Sequence, residues 1–340
     1  MLAAPFVAGS AAGNRLARPC WLDRRSRWWL SGGVDGQASV PKERDPRELI
    51  DALGGDRGRG SDTNLDDWEG IDLVYERRGV GAPLLLLHGL GSRWQVFEPV
   101  LDLLASEFEL WALDMPGFGS SPPATRPLSS IGRLADEVQA WMRTRGLEGC
   151  HIAGTSTGGG VALELAARGV VKSAVALAPI GFWSARERAF CQTSLRSTRT
   201  LARRLRPLAP RLLGLAPGRA LIFAQFSAHP TRITPHEALG DVEAFIDAPS
   251  FDDVCAAFSG YLAPIGAADH VPVTIAWGTK DRLLLPRQFE RARRRLPRAH
   301  HARIEGAGHL AMRDDPHVVA ELIRSAVSRD AHTAPATGRL

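Results

Sequence analysis

The sequence predicts an α/β protein: a mostly parallel sheet flanked by helices, interrupted late in the chain by a helical insertion. Three observations carry that reading. From Leu84 onward, short apolar runs alternate with segments of helical period. The strand-like runs are continuously apolar, as expected of parallel strands covered on both faces. Residues 181–268 then break the alternation with helical patterns cut by seven prolines, from Pro207 to Pro264.

The elements follow in order. Residues 70–78 set Ile71, Leu73 and Tyr75 against Asp72, Val74 and Glu76, the alternation of a half-exposed antiparallel edge strand. The run Leu84 to Leu87 predicts the first parallel strand, and Phe97 to Leu104 has helical spacing. Phe108 to Leu113 and Ile131 to Met142 form the next strand and helix; Cys150 to Ala153 and Gly159 to Ala167 form another pair. Val171 to Ala178 is a further strand. After the insertion come a strand at Val273 to Trp277, a helix at Gln288 to Leu296, a strand at His301 to Ile304, and a closing helix at Val318 to Val327. Strand–helix alternation with right-handed crossovers leaves few topologies open. The organisation expected is a core of residues 68–180 and 269–328, a helical cap at 181–268 and a flexible tail at 329–340.

Residues 1–67 read as an extension without ordered catalytic structure, apart from a short helix around Pro46 to Leu53. Up to Leu30 the extension carries Arg15, Arg18, Arg24, Arg25 and Arg27 against one Asp23, the bias of an organelle transit peptide. The competing reading, a disordered extension, is preferred, and with it a cytoplasmic location. At 340 residues and 44 % apolar content the chain can bury an ordinary core. The net charge of +5 comes with no nucleic-acid motif, so no nucleic-acid partner is expected. No run approaches a membrane span. Four scattered cysteines, Cys20, Cys150, Cys191 and Cys255, fit a reducing compartment and read as small buried hydrophobes.

The chemistry concentrates in Gly154-Thr155-Ser156-Thr157-Gly158, a G-x-S-x-G set between an apolar strand and a helix. A tight strand-to-helix turn presents the serine and demands small residues at Gly154 and Gly158. A serine hydroxyl needs a base. His309, in Gly306-Ala307-Gly308-His309 after a predicted strand, is the best placed histidine, and Asp281, just past the strand ending at Trp277, is the carboxylate to orient it. The order Ser156, Asp281, His309 is that of one triad lineage among several. His88-Gly89-Leu90-Gly91 follows the first parallel strand, where Leu90 and Thr157 can each aim a backbone N–H at a developing oxyanion. His88 would tie that loop down. No second ligand at a suitable spacing supports a metal there, and no metal is expected.

These motifs, with Asp114-Met115-Pro116-Gly117-Phe118-Gly119-Ser120 and Trp277-Gly278-Thr279-Lys280-Asp281, resemble the α/β-hydrolase superfamily over residues 68–328. The resemblance implies an eight-stranded sheet, a helical cap over the pocket, no cofactor, and Asp114 as a loop-building residue. Ser156 stands where epoxide hydrolases and haloalkane dehalogenases of this fold have aspartate, which disfavours both. Thr157 stands where many relatives have methionine, and its β-branched side chain is expected to alter the pocket floor.

The expected activity is hydrolysis of a carboxylic ester, thioester or lactone through an acyl-Ser156 intermediate. Carbon–carbon bond hydrolysis or acyl transfer on the same triad, and a ligand receptor of the same fold, are the alternatives. Cap aromatics, among them Phe223, Phe226, Phe245 and Phe251, point to an apolar or aromatic acyl substrate. His88, Gly89, Trp94 and Trp183 are candidates for substrate contact. Between Arg186 and Arg219 nine arginines accompany one glutamate, read as a solvated helix face.

Overall fold

The computed structural model of the protein describes residues 72–333, with side chains through residue 329. The helix expected near Pro46, Cys20 and the transit-like segment lie outside the described residues.

Seven strands form one sheet: β1 (Tyr75–Arg78), β2 (Ala82–Leu87), β3 (Phe108–Leu113), β4 (His151–Thr155), β5 (Ser173–Leu177), β6 (Val273–Gly278) and β7 (His300–Ile304). Their spatial order is β1-β3-β2-β4-β5-β6-β7, with β1 antiparallel to β3 and every other pair parallel. The eight strands implied by the resemblance are thus seven among the described residues. The edge strand is also shorter than expected. Val74 spends its N–H on the Ser121 hydroxyl at 2.8 Å and its carbonyl on the Asp114 N–H at 2.9 Å, so the ladder starts only at Tyr75.

The continuous apolar run of β2 is explained by burial on both faces. Leu84 and Leu86 pack with one core cluster, beside Phe97, Leu101 and Leu104 and, from the closing helix, Val319 and Ile323. Leu85 and Leu87 pack with the other, beside Leu134, Val138 and Trp141. Helices α1 (Glu98–Leu104), α2 (Ile131–Thr144), α3 (Thr157–Ala167), α9 (Arg287–Arg295), α10 (Ala311–Asp314) and α11 (Pro316–Thr333) accompany the sheet. Ser130 starts α2 by accepting the Arg133 N–H at 3.0 Å, a helix cap of the usual side-chain type. Helix α11 runs past the expected boundary at residue 328, to Thr333.

Between β5 and β6 the described chain is helical: α4 (Ala185–Leu205), α5 (Ala209–Gly214), α6 (Ala216–Ile222), α7 (Pro235–Asp247) and α8 (Phe251–Ala257), with short 3₁₀ turns between. Capping boxes open α4 at Ser184 with Glu187 and α7 at Thr234 with Glu237. Ala209, Leu213, Phe223, Ile233 and Ala238 give this insertion a small core of its own.

Candidate active site

The parallel strands β2, β4, β6 and β7 all release their chains at the same edge of the sheet, where open α/β sheets bind ligands. The chain order reverses between β2 and β4, so the loops after these two strands flank one crevice. Ser156 follows β4, Gly89 and Leu90 follow β2, Asp281 follows β6, and His309 follows β7.

Ser156 has φ 55° and ψ −114°, a conformation rare for a residue with a side chain, at the junction of β4 and α3. Its N–H donates to the Leu177 carbonyl at 2.9 Å, and its carbonyl accepts from Gly160 at 3.0 Å and Ile180 at 3.2 Å. These bonds hold the strained turn. A Cβ on Gly154 would fall 2.2 Å from the Gly158 oxygen, and one on Gly158 would fall 2.2 Å from the Leu87 oxygen. The glycines of the motif are therefore required by the close approach of backbone to backbone.

His309 is buried, and its Nδ1–H donates to Asp281 Oδ2 at 2.8 Å. Asp281 is equally buried; its Oδ1 accepts the Leu283 and Leu284 N–H groups at 2.9 Å each. This leaves His309 Nε2 as the acceptor nitrogen of the neutral ring. Ser156, His309, Gly89 and Leu90 line one pocket. Among the described residues no hydrogen bond joins Ser156 Oγ to His309; such contacts commonly tighten only when substrate binds. The backbone N–H groups of Leu90 and Thr157 have no acceptor among the described residues.

The loop carrying His309 is pinned by residues without a motif. Asp314 Oδ2 accepts from Gly308 N–H at 2.7 Å and Ala228 N–H at 2.9 Å, while Oδ1 accepts from the Ser227 hydroxyl at 2.5 Å. Leu310 N–H donates to Phe226 at 2.8 Å.

Comparison with known proteins matches the family model of the alpha/beta hydrolases over residues 84–322, most of the chain. The chain belongs to the alpha/beta hydrolase family. It is similar to the dihydrolipoyllysine-residue acetyltransferase component of the acetoin cleaving system of Cupriavidus necator, 38 % identical over 122 residues, covering 35 % of this chain and 32 % of that protein. It is also similar to the pimeloyl-[acyl-carrier protein] methyl ester esterase of Aeromonas hydrophila, 41 % identical over 96 residues, covering 28 % of this chain and 36 % of that protein. Each match thus spans about a third of the relative's length. Among solved structures, a thermophilic esterase from Thermogutta terrifontis superposes with a TM-score of 0.59 at 21 % identity, covering 76 % of this chain and 94 % of that one. That likeness is one of fold.

Within this alpha/beta hydrolase, several residues expected at the substrate lie elsewhere. His88 Nδ1–H donates to the Gly89 carbonyl at 2.7 Å and Nε2 accepts the Met115 N–H at 3.0 Å, so both ring nitrogens are engaged with backbone. Burial lowers its pKa and keeps the ring neutral, with the nearby Asp114 acting in the opposite sense. It braces the loop and does not line the pocket. Trp94 donates its backbone N–H to Asp114 Oδ1 at 2.6 Å and packs against the α1 side of the sheet. Trp183 is buried with its ring 5.2 Å from Phe258 and its indole N–H on the Tyr261 carbonyl at 3.2 Å. Neither tryptophan reaches the pocket wall, because each ring is taken up by core packing. Thr157 is fully buried and its side chain is not part of the wall; the neighbouring Thr155 is. Gly89 does line the pocket, with room for a Cβ only 3.2 Å from Ser156 Cβ.

Asp114 builds its loop as expected, its Oδ2 accepting the Ser120 N–H at 2.9 Å. Phe223, Phe226 and Phe245 line the pocket, whereas Phe251 and Phe258 are core residues. Leu195, Thr198 and Ala202, spaced along one face of α4, Ile222 of α6, and Asp241 and Val242 of α7 complete the wall from the insertion. None of these six carries a motif. The spacing of the α4 set is a helical face, but nothing local marks that face as facing a pocket. Cys150, Cys191 and Cys255 are buried free thiols, and burial pushes Cys150 up to about 12. Among the described residues no group of three His, Cys, Asp or Glu side chains could hold a metal ion, and no helix is long and apolar enough to cross a membrane.

Proposed function

We propose that this protein hydrolyses a carboxylic ester, thioester or lactone through an acyl-Ser156 intermediate. The observation that carries the proposal is the meeting of Ser156, on its strained turn, with His309, buttressed by Asp281, at the wall of one pocket. The likeness to a methyl ester esterase supports the ester among the bonds this fold cleaves.

Ser156 Oγ attacks the carbonyl carbon as His309 Nε2 takes its proton. The charge that develops on the carbonyl oxygen is met by the backbone N–H groups of Leu90 and Thr157, which no acceptor among the described residues engages. Protonated His309 gives its proton to the departing alkoxide or thiolate, and the acyl group stays on Ser156. Water, deprotonated by His309, then releases the acid. Asp281 keeps Nδ1 protonated throughout and stabilises the imidazolium. The apolar side chains of the pocket favour an apolar or aromatic acyl group, and no bound cofactor or metal is required for these steps.

The test is the rate of hydrolysis of aryl esters of graded acyl length by the parent protein, Ser156→Ala and His309→Ala. The parent is expected to turn over and both variants to fall by roughly 10⁴-fold or more. An inert parent overturns the proposal in favour of a receptor. Faster acyl transfer to an added alcohol than to water makes the protein an acyltransferase on the same serine.

A further inference from the structure

Asp241 is the one carboxylate on the pocket wall among the described residues. Its side chain is 15 % exposed, and the surface it exposes belongs to a pocket lined largely by aliphatic and aromatic groups. A charged group rarely occupies such a position without a reason in packing or binding.

Two arginines hold it from behind. Arg93, four residues past Gly89, donates from Nε to Asp241 Oδ1 at 3.1 Å. Arg313, four residues past His309, brings Nη2 within 2.9 Å of Oδ2 as an ion pair without hydrogen-bond alignment. Neither arginine lines the pocket. Glu237 lies 3.6 Å from Arg313 Nη1, so the cluster holds two positive and two negative charges. A carboxylate offers about four acceptor positions. Each oxygen faces one guanidinium nitrogen, Oδ1 at 3.1 Å and Oδ2 at 2.9 Å, which leaves about two of those positions without a partner among the described residues. Burial pushes the Asp241 carboxyl above its ordinary range, with Arg313 and Arg93 pulling against that shift, so the group lacks the solvation it would have in water.

An ion cluster that only fastened the insertion to the two loops would not need its carboxylate on the pocket wall. The acceptor positions left over select an occupant that donates. An ammonium group would approach a carboxylate already flanked by two guanidinium groups, and an anion would meet the carboxylate itself. A neutral donor escapes both penalties.

We propose that Asp241 recognises a neutral hydrogen-bond donor, a hydroxyl or amide N–H, carried by the substrate away from the scissile bond. It is a specificity-determining residue for the hydrolysis proposed above, and the assignment rests on that reading.

The test compares kcat/KM for matched aryl esters with and without a terminal hydroxyl on the acyl chain, over a graded series of chain lengths, with terminal amines as a third set. At the length that spans the pocket, the hydroxylated ester is expected to be preferred by about tenfold or more, the value of a hydrogen bond to a charged group. Asp241→Asn should abolish most of that preference. The ratio is taken within one protein sample, so partial misfolding of the variant cancels. A parent that disfavours the hydroxyl at every length overturns the proposal, and so does a variant that lowers both esters equally, since that marks a purely structural ion cluster. Preference for the amine overturns the choice of a neutral donor. If the parent hydrolyses none of the esters, the hydrolase reading fails and calorimetric binding of matched methyl ketones decides separately. Tighter binding of the hydroxylated ketone sustains the role of Asp241, and equal binding overturns it.

Discussion

Asp281→Asn separates the shape of the catalytic pair from its proton arrangement. Asp281 Oδ1 accepts two backbone N–H groups, from Leu283 and Leu284, while Oδ2 accepts the His309 Nδ1–H. An asparagine side chain has one oxygen to divide between these two sides. Turning its NH₂ toward the Leu283 and Leu284 donors would leave two buried N–H groups unpaired, at about 1–3 kcal/mol each. The favoured rotamer therefore keeps the oxygen on the backbone side, by roughly thirtyfold to more than ten-thousandfold at about 1.4 kcal/mol per tenfold. It turns the NH₂ toward His309, whose Nδ1 must then accept. The ring proton moves to Nε2, and the ring cannot take the proton of Ser156. We expect a fall in kcat of about 10⁴-fold with little change in KM or Tm, as for the same exchange in other serine triads. The assay is steady-state hydrolysis of the best aryl ester, with melting followed in parallel. A fall of less than about tenfold in a fully folded variant would refute the assignment of Asp281 as the residue that fixes the ring.

Gly158→Ala sets a methyl group 2.2 Å from the Leu87 oxygen and 2.5 Å from the His88 oxygen; loss of soluble protein, or a drop in stability of about 3 kcal/mol or more by denaturant melt, is expected. Asp314→Ala leaves the Gly308 and Ala228 N–H groups without their acceptor, so a Tm drop of about 5–10 °C should accompany lower kcat, whereas Asp314→Asn should recover part of both. Burial alone would raise the Glu187 carboxyl, but hydrogen bonds from Arg291, the Ser184 N–H and Arg287 outweigh it and hold it at about 2. Its folded value lies below its unfolded value near 4.5, so its stabilisation is full above pH 4.5 and is lost as pH falls toward 2. The Tm gap between the parent and Glu187→Gln should accordingly be widest near neutrality and close over that window. In a Cys20→Ser background, thiol reagents at pH 8 should label the native protein slowly and the unfolded protein at three sites, because Cys150, Cys191 and Cys255 are buried.

The residues legible in the sequence share a local cause. Ser156, Gly154 and Gly158 could be read because a tight turn between strand and helix admits few residue types, and that constraint is written within five positions. His309 and Asp281 were legible through their strands: both follow apolar runs, and a chain leaving a parallel strand arrives at the same sheet edge wherever that strand lies. Asp241, Arg93 and Arg313 have no such signature. Arg93 and Asp241 are 148 positions apart, and each alone looks like a charge on a solvated face. Arg199 was misread for the same reason. Counted within the arginine-rich stretch as solvent-facing, it is buried instead and donates to the carbonyls of Phe245, Ile246 and Ala248, satisfying the end of α7. Trp94 and Trp183 erred the other way, since a large aromatic fits a core as well as a pocket and composition does not separate the two.

For the hydrolysis proposed above, the same contrast would let the insertion set specificity without disturbing the chemistry. Ser156, His309, Asp281, Leu90 and Thr157 all lie in the α/β framework, on turns fixed by the sheet. The insertion contributes the remaining wall from α4, α6, α7 and the segment through Phe226. Beside His309 and Gly89 it is tied to the framework loops through Asp241 with Arg93 and Arg313, through Asp314 with Ser227 and Ala228, and through the Leu310 N–H on Phe226. Changing the apolar wall at Thr198 or Val242 should therefore alter which acyl groups fit, while changing the linking charges should alter how the catalytic loops are held, so the two kinds of variant ought to separate in KM and kcat.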